Sequence, residues 1–248
     1  MDLGPLVELS RALAAPTEDC VILGEGNTSQ RVNDESFFVK ASGRSMVNID
    51  SAGFLPLPFA PLLAALDGPS RNDAEVAKLL GSVGGLKPST ESFMHAYLLS
   101  LPGVSFVGHT HPTPLLSLLC LDVCEAIKDE RLFPDEVVCC GPSACLVPYA
   151  GPGLDLAKAI RAGVQAYVKK NGWLPQTIWI RNHGLICIGS TAAEVLTATR
   201  MSVKAARVWL GALQTGNSPA PLPQNEIQRI HTRPDEHYRQ RLLWETNG

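Results

Sequence analysis

Three histidines carry the first chemical signal in this sequence: His109 and His111 in the segment VSFVGHTHP, and His183 in TIWIRNHGLICIG. The one-residue spacing of His109 and His111 near the end of an apolar run predicts a strand, where alternate side chains leave the same face. Both imidazoles would then converge on one point. His183 falls between two apolar runs, at an expected tight turn Asn182-His183-Gly184, where its ring can point into a cleft. Three neutral imidazoles with one position left open is the arrangement of a catalytic zinc ion. A single histidine is more often an ordinary surface or core residue, so the His-Thr-His pair carries most of the weight.

Glu91 follows Pro88-Ser89-Thr90 at the expected start of a helix over ESFMHAYLLSL. A glutamate there complements the helix dipole. It can equally serve as an acid/base beside a phosphate cradle built from helix N-terminal amides and the two hydroxyls. His95, four residues later, has a structural reading and a reading as a supporting partner of the site. Gly24-Glu25-Gly26-Asn27-Thr28-Ser29 is a glycine-rich turn after an apolar run, without the spacing of a dinucleotide fingerprint or a Walker loop. It reads either as an anion-binding turn or as a plain hairpin. The same two readings hold for Lys40-Ala41-Ser42-Gly43-Arg44, with added positive charge.

The elements that must position these groups alternate between strand and helix patterns. Residues 3–15 suggest an opening helix, 21–32 and 37–43 two strands, and 55–66 a proline-broken, partly helical stretch. The Gly, Ser and Pro of 68–89 suggest an irregular connection. Further on, the patterns predict a helix over TPLLSLLCL and short strands over EVVCCG and ACLVPYA. A helix over residues 154–170, ending at Asn171-Gly172, a long helix over 192–213 and a final charged helix over 225–244 complete the reading. The mixture predicts one α/β domain with a partly antiparallel sheet.

The chain has 248 residues, 45% of them hydrophobic and 18% charged, with a formal net charge of -3. That composition suits a globular protein with a sizeable core and sets up no field for nucleic acid or anionic membrane. No apolar run reaches the about 20 residues of a membrane span, and the first residues do not read as a secretory signal. Seven scattered cysteines without a CxxC pair predict reduced, buried thiols and a cytoplasmic setting. A redox role for Cys139-Cys140 is disfavoured by the strain of a vicinal disulfide.

Taken in order, GEGNTS, SGR, PSTE, His-Thr-His and Asn-His-Gly resemble the successive landmarks of the class II aldolase/adducin family. The resemblance implies a three-layer αβα domain with a central, largely antiparallel sheet over residues 1–213, followed by a linker and helical extension over 214–248. It implies zinc, or another divalent metal, on His109, His111 and His183, with Glu91 as a resting ligand that becomes the acid/base. It places phosphate-binding positions at Gly26, Asn27, Ser42, Gly43, Ser89 and Thr90.

The implied activity is aldol cleavage of a small phosphorylated sugar or related hydroxyketone through a metal-stabilised enediolate, in a homotetramer with sites between subunits. Sugar-phosphate 4-epimerases, dehydratases and decarboxylases share the scaffold. A non-catalytic adducin-like module is the less favoured alternative, because the histidines and Glu91 are all retained. The fuculose-phosphate branch uses a tyrosine acid before its Pro-Tyr-Ala strand. Here FPDEVVCCGPSA has none, which leaves Asp135, Glu136 or Tyr238 as substitutes.

Overall fold

The computed structural model describes residues 2–234. It opens with helix α1 (Gly4–Leu13), strands β1 (Asn27–Arg31), β2 (Ser36–Lys40) and β3 (Phe54–Pro58), and helices α2 (Phe59–Asp67), α3 (Asp73–Leu80) and α4 (Ser92–Leu99). Strand β4 (Phe106–Thr110) follows, then helices α5 (Thr113–Leu119), α6 (Val123–Ile127) and α7 (Pro134–Cys140) and strand β5 (Cys145–Val147). Helix α8 (Leu154–Asn171), strands β6 (Thr177–Ile180) and β7 (Gly184–Gly189), and helices α9 (Ala192–Gln214) and α10 (Gln224–Thr232) complete it.

The strands form one seven-stranded sheet in the order β3-β2-β1-β4-β7-β6-β5. Every neighbouring pair is antiparallel except β5–β6. The period-2 alternation of strand side chains sorts the core into two layers. Val107, Ile178, Ile180, Ile186 and Ile188 face one cluster with α2, α3, α4 and α8. Phe106, Trp179, Leu185 and Cys187 face the other, with α1, α5, α6 and α9. The expected three-layer αβα domain with a largely antiparallel sheet is therefore what forms.

Gly108 shows why a small residue stands mid-strand in β4. A Cβ there would lie 2.7 Å from Val195 Cγ1, so its absence lets α9 lie directly on the sheet. His109, the next residue, points to the opposite layer, toward α4.

Three expectations are corrected. EVVCCG is not a strand but lies in α7: Pro134 starts the helix and Asp135 and Glu136 complement its first turn, overriding the β-branched pair. The connection over 68–89 holds α3, nucleated by a capping box in which Asn72 and Glu75 satisfy each other's backbone amides. The first half of the stretch 55–66 is strand β3, tolerating its prolines at an edge of the sheet. Helix α10 packs Ile227 and Ile230 on Val137 and Val138 of α7. The end of the charged helix read over 225–244, with Tyr238, lies outside the described residues. No helix among the described residues is long and apolar enough to cross a membrane.

Candidate metal centre

The centre of the sheet supplies the three histidines. His109 sits in β4 between β1 and β7, His111 one residue beyond the strand end, and His183 in the β6–β7 connection. Asn182 takes a left-handed backbone (φ 53°), and Gly184 restarts pairing opposite Ile180. The ring centroids of His109 lie 4.7 Å from His111 and 5.0 Å from His183, and those of His111 and His183 lie 5.2 Å apart. One ring nitrogen from each lies within 4.8 Å of the others.

Hydrogen bonds decide which nitrogens face inward. His109 Nδ1 is 3.0 Å from the Leu185 carbonyl, which can only accept, so Nδ1 carries the proton and Nε2 bears a lone pair. His111 Nδ1 is 3.0 Å from Glu25 Oε2, which assigns it the same tautomer. The two Nε2 atoms then face each other at 3.0 Å. Two lone pairs at that distance repel unless a cation or a proton sits between them. His109 is fully buried, and the Glu91 carboxylate 3.6 Å from its Nε2 supplies the counter-charge that a proton or a cation held there needs. The donor set therefore fits a divalent cation of zinc-like preference, bound by imidazole nitrogens.

Glu91 caps this group. It precedes the first residue of α4, and its Oε1 lies 3.2 Å from His183 Nε2 and 3.6 Å from His109 Nε2. Oε2 accepts a hydrogen bond from Asn27 Nδ2 at 2.6 Å. Burial alone would raise its pKa. When a proton rather than a cation occupies the cluster, the charge of His109 and hydrogen bonds from His109, His183 and Asn27 outweigh burial and hold the carboxyl well below the usual carboxylate range. For His109 the balance runs the other way: burial lowers it, and the Glu91 carboxylate more than restores it.

Asn27 is itself held from behind. Its Oδ1 accepts from His95 Nε2, and His95 Nδ1 accepts from the Ser29 hydroxyl at 2.6 Å. His95 is completely buried, and burial with the nearby His109 charge pushes its pKa down to about 3. It stays neutral at pH 7, as this pattern of one donated and one accepted bond requires. A chain Ser29–His95–Asn27–Glu91 thus fixes the carboxylate's orientation.

The residues expected to bind phosphate are gathered around this group. Ser89 Oγ accepts the Glu91 amide at 3.2 Å, at the head of α4. An Ala41–Pro88 bridge and a hydrogen bond from the Ser42 amide to the Lys87 carbonyl (2.8 Å) bring Ser42 and Gly43 alongside Ser89 and Thr90. Gly26 (φ 69°) is obligatory for two reasons: its left-handed backbone, and the 2.9 Å that would separate a Cβ from the His109 carbonyl. Asn27 joins through Glu91 rather than standing free, since its amide is already committed.

Lys40 does not offer its charge to an anion. It is buried and donates to the carbonyls of Gly24 (3.1 Å) and Arg44 (2.7 Å), tying the two glycine-containing turns together. Glu136 is not brought to the triad either. It accepts the Leu132 amide at 2.9 Å and faces Arg131, under α7. Sequence reasoning missed Glu25 as a partner of His111; its only signal was a charged residue between two glycines.

Known proteins resemble this chain in sequence and in fold. A protein of Bacillus subtilis (strain 168), described as the uncharacterized oxidoreductase YuxG, is 24% identical over 225 residues, 84% of this chain and 30% of that protein. The chain thus spans less than a third of that relative's length. The N-terminal class II aldolase domain of a conserved protein from Thermoplasma acidophilum is 26% identical with a TM-score of 0.67, over 85% of this chain and 94% of that one. The L-fuculose-1-phosphate aldolase of Thermus thermophilus, 16% identical with a TM-score of 0.61 over 86% of this chain and 96% of that one, shares the fold. Residues 5–210 match the model of the class II aldolase and adducin N-terminal domain, and the chain belongs to that family.

Proposed function

We propose that the chain is a metal-dependent, aldolase-type lyase that cleaves a carbon–carbon bond in a phosphorylated sugar or related hydroxyketone. The observation that carries this reading is the convergence of the lone pairs of His109 and His111 with His183, closed by the Glu91 carboxylate. His109, His111 and His183 would hold zinc or another divalent cation, which when bound supplies Lewis-acid polarisation of the substrate's carbonyl and hydroxyl oxygens.

The chain's own residues do the rest. Glu91 takes and returns the proton on the carbon next to the carbonyl through Oε1, while Asn27 restrains Oε2. Gly26, Ser42, Gly43, Ser89 and Thr90, with the first amides of α4, grip the phosphate and hold the reacting carbon in place. Lys87 and Arg44 lie in the same turns and are exposed, so they add positive charge to that stretch of surface. Association into a homo-oligomer, expected to be a tetramer, would cover the exposed Ile22 and Leu23, at 68% and 87% exposure.

One observation favours a second reading. The segment expected to carry a second acid is helix α7, whose Glu136 is buried against Arg131 rather than near the triad. An epimerase, dehydratase or decarboxylase on the same cation and Glu91 is that second reading.

Proton NMR of dihydroxyacetone phosphate in deuterium oxide tests the proposal, with metal-loaded protein and its Glu91→Gln variant. Stereospecific exchange of one hydroxymethyl proton, abolished in the variant, is expected. No exchange with metal bound would exclude a dihydroxyacetone-phosphate aldolase and move the assignment to the second reading.

A further inference from the structure

Glu25 stands between Gly24 and Gly26 with its side chain 31% exposed, yet both of its carboxylate oxygens are engaged. Oε1 accepts the Ile22 amide at 2.6 Å. Oε2 lies 3.0 Å from His111 Nδ1. The first contact ties the carboxylate to its own turn, so it is not a loose surface charge. Lys40 in turn holds that turn through the Gly24 carbonyl. The Glu25–His111 contact therefore rests on an anchored loop.

The histidines of the centre differ in what stands behind them. His109 donates from Nδ1 to the Leu185 carbonyl, a fixed backbone group deep in the sheet. His111 lies beyond the end of β4, where no ladder bond fixes its ring, and its backbone amide reaches the Cys20 carbonyl at 2.7 Å instead. The ring orientation of the less constrained of these two ligands depends on Glu25. A carboxylate behind an imidazole does two things: it fixes the proton on the remote nitrogen, and it makes the inward nitrogen a stronger donor. Charge gives a second argument. Three neutral imidazoles leave a dication's charge uncompensated, and Glu91 supplies one negative charge. Glu25 supplies the other from behind His111, and keeps it there when Glu91 takes up a proton.

We propose that Glu25 is a positioning residue of the metal centre, holding His111 with Nδ1 protonated and Nε2 turned inward so that the cation binds tightly. The inference rests on the metal-centre reading above. It assigns Glu25 no contact with substrate; it acts through His111.

The test compares wild type with Glu25→Gln and Glu25→Ala by zinc titration against a competing chelator. The metal-free proteins are compared by long-range proton–nitrogen correlation spectra of the histidine rings. Glutamine can still accept from Nδ1 but carries no charge, whereas alanine loses both functions. Glu25→Ala is expected to weaken zinc binding roughly 10- to 100-fold and to lose the single Nδ1-protonated form of His111. Glu25→Gln is expected to keep the tautomer with a smaller loss of affinity, which separates positioning from a folding defect. Wild-type affinity in both variants, with the His111 tautomer unchanged, would overturn the proposal alone. A wild-type protein that binds no zinc would overturn the metal-centre reading and this role with it.

Discussion

Adding one methyl group at Gly184 should damage the metal centre without replacing any ligand. A Cβ at this position would lie 2.6 Å from His111 Cδ2 and 2.5 Å from the Thr110 carbonyl oxygen, with His109 Cε1 at 3.4 Å. Carbon atoms pack comfortably at about 3.5 Å or more, so the His111 ring must recoil by about 0.9 Å, or β7 must lift from β4. Zinc–nitrogen bonds tolerate deviations of about 0.2 Å, several times less than that recoil. Overpacking of this kind costs about 1–3 kcal/mol of stability. Misplacing one ligand should weaken zinc binding by at least about tenfold, the scale on which disturbed supporting contacts act.

The control is Gly81→Ala, at the end of α3, where a Cβ meets nothing within 4 Å but the left-handed backbone (φ 59°) is strained. With ψ at −146° this is a conformation that essentially only glycine adopts, so it should cost about 1–3 kcal/mol with unchanged zinc affinity. Chelator competition and thermal melting of both variants read the two effects separately. A Gly184→Ala protein with wild-type zinc affinity would refute the reasoning, because the rings would then not be held as tightly as the contacts imply.

Further outcomes follow from the site and its surroundings. Glu91→Gln should retain the fold and bound metal while lowering turnover by about 100-fold or more, checked by steady-state kinetics beside metal analysis. His95 is held neutral, with its pKa moved from 6.5 to about 3 by burial and the His109 charge. A depressed folded-state value means the unfolded chain binds the proton first. His95 therefore contributes stability that is complete above pH 6.5 and lost as pH falls toward 3. Over that window wild type should lose up to about 1.4 kcal/mol per pH unit more than His95→Gln in urea melts; parallel pH profiles would contradict this. Asn72→Ala should cost about 1 kcal/mol through loss of the α3 capping box, measured by denaturant titration.

Much of the centre was legible because its signals are local. Alternation along a strand made His109 and His111 neighbours before any tertiary contact was known, although His111 turned out to lie just past β4. The turn position of His183 suggested a ring pointing into a cleft, but its meeting with the pair depends on β7 pairing with β4, a contact between residues far apart in sequence, and the ordered landmarks of the family strengthened that assignment. Composition misled where it stood in for mechanism. The glycines and prolines of 68–89 hid the Asn72–Glu75 cap, and Val137-Val138 hid a helix that Pro134 begins.

The charge of Lys40 looked available for an anion until burial and two carbonyl acceptors accounted for it. His95 could not be placed from a four-residue spacing alone. Its role emerges only when β1 sets Ser29 and Asn27 on either side of its ring.

The most direct test of the central claim is metal stoichiometry by equilibrium dialysis, for wild type and for His109→Ala, His111→Ala and His183→Ala, with circular dichroism as the control for folding. One divalent ion per wild-type chain is expected, lost from each folded variant. A wild-type chain that binds none, or folded variants that all keep a full equivalent, would contradict the metal centre.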